Sequence, residues 1–223
     1  MRSYQEILDI AAARKGGVAA VLDHVRVPKT PEALAAIPGD RWLAEMARHI
    51  FQTGMSWKVV EAKWPGIEAA FEGFDVTRIA HMSEDWFDAL LKDTRIIRSG
   101  AKLRAIQENA EFIARVDAEE GGFARKIAQW PAEDYFGLLD WLKDNGARLG
   151  GNTGAYTLRM MGRDGFMLSK DVVARLIAEG IIDKAPTSKP AKRAVQEAFN
   201  SWRAESGETF NTISSVLAQS IDG

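Results

Sequence analysis

Residues 40–57 read Asp40-Arg41-Trp42-Leu43-Ala44-Glu45-Met46-Ala47-Arg48-His49-Ile50-Phe51-Gln52-Thr53-Gly54-Met55-Ser56-Trp57. Trp42, Met46, Ile50 and Phe51 make an apolar stripe at helical spacing. Asp40 is placed to cap a helix from Arg41 to Thr53, and Gly54 closes it. Ser56 is placed to cap a second helix carrying Trp57, Val60 and Ala62, with Pro65-Gly66 as its punctuation. The period of this stretch is that of an α-helix, and the rest of the chain repeats it.

Upstream, residues 3–14 form a first helix with Ile7, Leu8 and Ala11 on one face, ended by Gly16-Gly17. Val18 to Val27 reads as a short second helix, with Pro28 and Pro31 breaking the pattern. Downstream, Asp75 or Thr77 starts a helix, and Ser83-Glu84-Asp85-Trp86 starts another with acids in its first turn. A long helix runs from Ala101 to about Ala118 with Leu103, Ile106, Ala110 and Ile113 aligned, and Gly121-Gly122 stops it. Phe123 to Trp130 and Tyr135 to Lys143 follow, then an Asn145-Gly146 turn. The tail from Lys189 offers two apolar faces: Ala194, Val195, Ala198, Phe199 and Trp202, then Phe210, Ile213, Val216 and Leu217. No segment has a useful period of two. The expected fold is all-α, with nine to eleven helices.

Composition narrows the chemistry. The chain has 223 residues, 46% of them hydrophobic, so there is ample material for a core. It has no Cys, which excludes disulfides, Cys-ligated zinc, iron–sulfur clusters and a thiol nucleophile. No apolar run approaches the roughly 18 residues of a membrane span. The opening MRSYQEILDIAAARKGG has no signal-peptide core, so a cytoplasmic protein with no membrane partner is expected. Net charge is −2, yet residues 143–203 hold 11 basic against six acidic side chains. That basic half is what a DNA-facing surface requires, although an ordinary solvated face can show the same bias.

Residues 148–162 read Arg148-Leu149-Gly150-Gly151-Asn152-Thr153-Gly154-Ala155-Tyr156-Thr157-Leu158-Arg159-Met160-Met161-Gly162. Two short helices joined by a glycine-rich turn make a helix–hairpin–helix, whose backbone approaches a DNA strand and whose second helix points its amides at phosphates. Leu149, Gly150, Gly151, Asn152, Thr153 and Gly154 are the candidate backbone-binding residues. The plainer alternative is a helix C-cap followed by a loop.

Three blocks upstream carry a more specific likeness. They are Phe51 to Trp57, Phe74-Asp75-Val76-Thr77-Arg78-Ile79-Ala80, and Ile96-Ile97-Arg98-Ser99-Gly100-Ala101-Lys102 continuing to Asn109-Ala110. In that order they resemble the Gln-x-Gly-Leu-Ser-Trp, Phe-Asp-x-x-x-Ile-Ala and Ile-Ile-Arg-x-x-x-Lys-Ile-x-Ala-x-x-x-Asn-Ala patterns of the 3-methyladenine DNA glycosylase I family. The likeness covers residues 50–110, is looser over 145–178, and is poor over 1–40 and 185–223.

The resemblance implies a helix-hairpin-helix DNA glycosylase fold with two helical lobes and the base pocket in the cleft between them. The implied organisation is an accessory helical arm at 1–40, a glycosylase-like core at 41–185 with its hairpin at 145–162, and closing helices at 186–223. The implied activity is repair of double-stranded DNA by a monomer, without cofactor, in the bacterial cytoplasm at the nucleoid. A damaged purine such as 3-methyladenine is flipped out and its N-glycosidic bond hydrolysed. An alkylated purine is already cationic, so pocket shape, stacking and electrostatics carry much of the catalysis.

Trp57 matches the family's stacking tryptophan, with a core Trp as the alternative. The family's pocket glutamate, eight residues earlier, is His49 here. An imidazole can accept or donate one hydrogen bond there but supplies no fixed negative charge. Met55 matches the wedge that fills the gap left by a flipped base, and Trp42 is a second pocket candidate. Leu168 to Leu176 resembles the superfamily segment after the hairpin. There Val173 and Arg175 match, Lys170 occupies the usual aspartate position and Asp171 follows one residue late. Asp171 is the candidate acid, Lys170 a pocket or phosphate residue, and Arg175 a phosphate contact. The lysine of bifunctional relatives corresponds to Ala155, which points away from a lyase. The family's zinc needs two Cys and two His, and this chain has only His24, His49 and His81, so no metal is expected. The alternative function is a DNA-damage-binding or structural protein on the same scaffold, or a hairpin that contacts protein.

Overall fold

The structure, a computed structural model, describes residues 1–222. Among them are fourteen α-helices and no strands: α1 (Tyr4–Lys15), α2 (Val18–Leu22), α3 (Pro31–Ala35), α4 (Gly39–Gln52), α5 (Trp57–Ala70), α6 (Val76–Ala80), α7 (Glu84–Lys92), α8 (Gly100–Glu119), α9 (Phe123–Gln129), α10 (Tyr135–Asn145), α11 (Asn152–Met161), α12 (Lys170–Ala178), α13 (Lys189–Ser206) and α14 (Phe210–Gln219).

Half of the fourteen helix starts are set by a side-chain cap. Ser3, Thr30, Asp75, Ser83, Ser169, Ser188 and Thr209 each accept a hydrogen bond from a backbone amide in the first turn of the helix that follows. The first of these is a full capping box with Glu6. Two prolines behave differently from their sequence reading. Pro31 starts α3 from its first position, where a missing N–H costs nothing. Pro65 lies inside α5, which continues to Ala70 because Val60, Ile67 and Ala70 bury one face throughout. Gly66 serves close packing there, since a Cβ would come within 2.9 Å of the Arg95 Cβ. At α4 the helix begins at Gly39 behind Pro38, one residue before Asp40.

The chain divides into two units. One comprises residues 1–29, 131–137 and 164–223, and the other 30–130 and 138–163. These boundaries differ from the division at 40 and 185 that the sequence suggests. In the first unit α1 packs on α13 and α14, so the amino-terminal segment is part of a core rather than an arm. Phe166 stacks on Phe199 at 4.1 Å and meets Tyr135 and Phe210 edge-on at 4.9 and 5.7 Å. Trp202 Nε1 donates to the Arg2 carbonyl at 3.0 Å, tying the tail to the start of α1. Arg175 is buried and donates to the Ser220 hydroxyl at 2.7 Å and the Ser220 carbonyl at 2.5 Å. It also reaches Glu179 at 3.2 Å, which Arg2 holds at 2.7 Å.

The second unit is built on α4 and α8. Trp42, Leu43, Met46, Ala47 and Phe51 are fully buried. Phe112, Phe123 and Trp141 form a ring cluster at 5.0–5.7 Å, and Trp42 meets Phe123 edge-on at 5.7 Å. Helix α6 packs on α8, and α11 on α4. The last contact brings the hairpin to the end of the helix that carries His49.

Candidate functional site

A cavity of about 360 Å³ opens in the second unit. Its walls are His49, Gln52 and Thr53 from the last turn of α4, Trp57 from the first turn of α5, and Gly150, Asn152, Thr153 and Tyr156 from the hairpin and α11. Met55 N donates to the Gln52 carbonyl and Gly54 has φ 71°, so the link turns sharply and delivers Trp57 beside His49. Trp57 is 47% exposed, which is unusual for so large an apolar ring. Tyr156 stacks on His49 at 5.7 Å and 27°, while Trp57 stands edge-on to both, at 5.6 Å from Tyr156 and 6.1 Å from His49. Three aromatic rings thus share one hollow with an open indole, which suits a flat, polarisable guest.

The hairpin that forms the opposite wall is held tightly. Asn109 on α8 is fully buried; its Nδ2 donates to the Ala147 carbonyl at 3.0 Å and its Oδ1 accepts from the Ala147 amide at 2.8 Å. Gly154 N donates to the Leu149 carbonyl at 3.1 Å, and a Cβ at Gly154 would lie 2.6 Å from that same oxygen. Gly151 has φ 60° and ψ −132°, a conformation that only glycine adopts at little cost. Gly150 packs on the Lys143 stem. Gly150, Asn152 and Thr153 of this turn line the cavity. Below, Lys102 Nζ donates to the carbonyls of Phe51 at 3.0 Å and Thr53 at 2.7 Å, closing the end of α4 with a positive charge. Burial, with Arg148 nearby, lowers the Lys102 pKa.

No Asp or Glu lines the cavity. The nearest carboxylate arrangement stands one turn back on α4. His49 Nε2 lies 3.0 Å from Glu45 Oε1, and His49 Nδ1 lies 2.9 Å from Gln52 Oε1. Arg48 sits 3.5 Å from Glu45 and 2.6 Å from Glu61, with its guanidinium 4.0 Å over the Trp64 ring. Gln52 Nε2 faces Glu61 at 3.4 Å, which orients the amide so that its oxygen meets His49.

The structure brings together His49, Trp57, Gly150, Asn152 and Thr153 from the sequence candidates, with Gly151 and Gly154 shaping the turn. Met55 is exposed at the link into α5. Others require correction. Trp42 is fully buried on Phe123 and is a core residue, its indole committed two turns before His49. Leu149 buries its side chain, so only its backbone belongs to the turn. Arg175 spends its guanidinium on Ser220 and Glu179 and has none left for a phosphate. Lys170 and Asp171 occupy the first turn of α12 in the other unit and do not line the cavity. Sequence reasoning missed Tyr156, Glu45 and Asn109. Glu45 and Tyr156 carried a signal: one stands four residues before His49, and the other two after Gly154, on the face that meets α4.

The zinc of the resembled family has no donor set here. Cys is absent, His81 Nδ1 is 2.9 Å from the Thr77 carbonyl, and His24 stands beside Asp23. No group of three or more His, Asp or Glu that could hold a metal occurs among the described residues.

The site is thus an aromatic hollow beside a glycine turn in an all-helical fold. The chain matches the methyladenine glycosylase family over residues 40–135. It is 37% identical over 71 residues to DNA-3-methyladenine glycosylase 1 of Escherichia coli (strain K12), covering 32% of this chain and 37% of that protein. It is 40% identical over 60 residues to DNA-3-methyladenine glycosylase of Haemophilus influenzae (strain ATCC 51907 / DSM 11121 / KW20 / Rd), covering 27% of this chain and 32% of that one. The match thus spans about a third of each relative's length. The structure of 3-methyladenine DNA glycosylase I from Staphylococcus aureus superimposes with a TM-score of 0.51 at 19% identity, over 70% of this chain and 91% of that one, a likeness of fold. The family match includes His49, Gln52, Thr53 and Trp57 but ends before the hairpin.

Proposed function

We propose that this chain is a monofunctional DNA glycosylase that flips an alkylated or otherwise damaged purine out of double-stranded DNA and hydrolyses its N-glycosidic bond. One observation carries the reading: an exposed Trp57 stands with Tyr156 and His49 around a hollow whose far wall is Gly150, Asn152 and Thr153 of the hairpin. The base stacks on the rings while the glycine turn of the hairpin lets the DNA backbone come close. Met55, exposed at the link into α5, fills the gap left in the duplex. The protein acts as a monomer at the bacterial nucleoid; no helix among the described residues is long and apolar enough to cross a membrane.

A second reading is favoured by the absence of a carboxylate from the cavity wall: a damage-binding protein that has lost the chemistry. The two separate in one assay. Purified protein incubated with methylated and with deaminated duplex DNA is expected to release free base and leave alkali-labile abasic sites. Tight, salt-dependent binding to abasic DNA with no base released favours the second reading.

A further inference from the structure

We propose that Arg148 is the residue that grips the DNA strand, its guanidinium taking a backbone phosphate beside the nucleotide that enters the cavity. This rests on the glycosylase reading and supplies a charged contact that the cavity wall, with no lining Lys or Arg, does not itself offer.

Among the described residues three that are not glycine have a positive φ: Glu72 at 52°, Phe74 at 64° and Arg148 at 58°. An L side chain is strained in that region, so the surrounding structure must hold it there. Two of the three are explained by what their side chains touch. Phe74 is fully buried and stacks on Phe71 and Trp64 at 5.1 and 5.6 Å. Glu72 pairs with Arg78 at 2.5 Å. Arg148 has no such partner. It is exposed, and among the described residues its guanidinium makes no ion pair, hydrogen bond or ring contact.

The backbone of Arg148 is clamped from both sides. Asn109 takes both polar groups of Ala147, the residue before it. Leu149, the residue after it, buries its side chain and accepts the Gly154 amide at its carbonyl, 3.1 Å away. Between these anchors the left-handed turn is fixed and the Arg148 side chain is left in solvent. A glycine would take that turn at lower cost. An arginine there contributes reach and charge, not stability.

Position and charge point to the ligand. Gly150, two residues after Arg148, lines the cavity, and so does Thr53, whose carbonyl takes the Lys102 ammonium at 2.7 Å. Arg148 is close enough to Lys102 for the two charges to repel, and burial together with that repulsion lowers the Lys102 pKa. Lys143 adds a third cation, its stem 3.2 Å from where a Cβ on Gly150 would stand. Like charges gathered at one turn are relieved by an anion. Lys102 already donates to two carbonyls, so the free fork of donors is that of Arg148. A guanidinium meets two phosphate oxygens with parallel N–H groups. When a base stacks on Trp57 and Tyr156, the anion that arrives with it is the phosphodiester of its own strand.

The test measures binding to an abasic-site duplex across a salt series, with a melting temperature for each variant. Arg148→Gly is expected to melt no lower than wild type, because glycine accepts the left-handed turn. Its affinity is expected to fall about tenfold at roughly 0.1 M salt, and its log–log salt slope by about one, the share of a single phosphate contact. Arg148→Lys is expected to keep the wild-type slope. Arg125→Gln removes an equal charge from an exposed site on α9 and is expected to change neither affinity nor slope. The contact is overturned if Arg148→Gly binds with the wild-type slope, if Arg125→Gln loses as much, or if Arg148→Gly melts lower. In those cases duplex binding by wild type leaves the glycosylase reading standing, whereas a wild type that binds no duplex sinks both.

Discussion

Trp57 and Trp42 look interchangeable in the sequence, each on an amphipathic helix beside other apolar residues, and the structure gives them opposite lives. Trp42 is sealed against Phe123, whereas Trp57 presents its ring at the mouth of a cavity. Trp57→Ala should therefore leave thermal stability within about 0.5 kcal/mol of wild type, as exposed positions do. It should also weaken capture of a flipped base by about 1–3 kcal/mol, roughly tenfold to a hundredfold in single-turnover base release. Equal losses in both measurements would place Trp57 in the core. The same contrast shows how far sequence reading reaches. The short motif around Trp57 was legible because its residue types and spacing are local. Tyr156 and Glu45 carried only a spacing signal, because each matters through its distance from His49. Arg175 misled for the opposite reason: its motif position matched, and only the fold reveals Ser220 and Glu179 already occupying it.

At the scale of elements, the hairpin is shaped by backbone constraints that side-chain chemistry does not announce. Gly154 is a glycine because the Leu149 carbonyl passes within 2.6 Å of where a Cβ would stand. Gly154→Ala should push the turn away from α11 and weaken DNA binding about tenfold or more, while circular dichroism still reports a fully helical protein. Retained affinity would show that the turn does not carry the phosphate. The turn is also fixed from below, where Asn109 satisfies both polar groups of Ala147, which is why the family-like Asn109-Ala110 pair at the middle of α8 matters to a loop 38 residues away. Most helices were legible from the apolar period and the cap residues, but the fourteen found exceed the nine to eleven expected, and the short α3 went unread. Pro31 and Pro65 were misread as breaks: one occupies a position that needs no N–H, and the other is held by the burial of Val60, Ile67 and Ala70 around it.

At the scale of the molecule, the first unit is closed by a polar clasp whose strength depends on pH. Burial by itself would raise the Glu179 carboxyl, but the Arg2 amide and guanidinium and Arg175 outweigh it and hold the pKa below the ordinary carboxylate value. A group with a lowered folded-state pKa stabilises the fold above the unfolded value and loses that contribution as pH falls through the folded one. Melting temperature is thus expected to fall on acidification below the normal carboxylate range. Glu179→Gln should melt lower than wild type at neutral pH, with a shallower decline in acid; parallel melting curves would exclude the clasp as a source of acid sensitivity. The segments that Glu179 joins also order events during synthesis. Arg2 leaves the ribosome long before Glu179, and Tyr4 waits for Glu205, 201 residues later. The second unit has all its residues by position 163, so it completes its core while α1 is still without the helices that bury Tyr4, Ile7 and Leu8. For that interval the nascent chain carries an unsheltered apolar helix ahead of a finished unit, a binding opportunity for a chaperone that ends when α13 and α14 emerge.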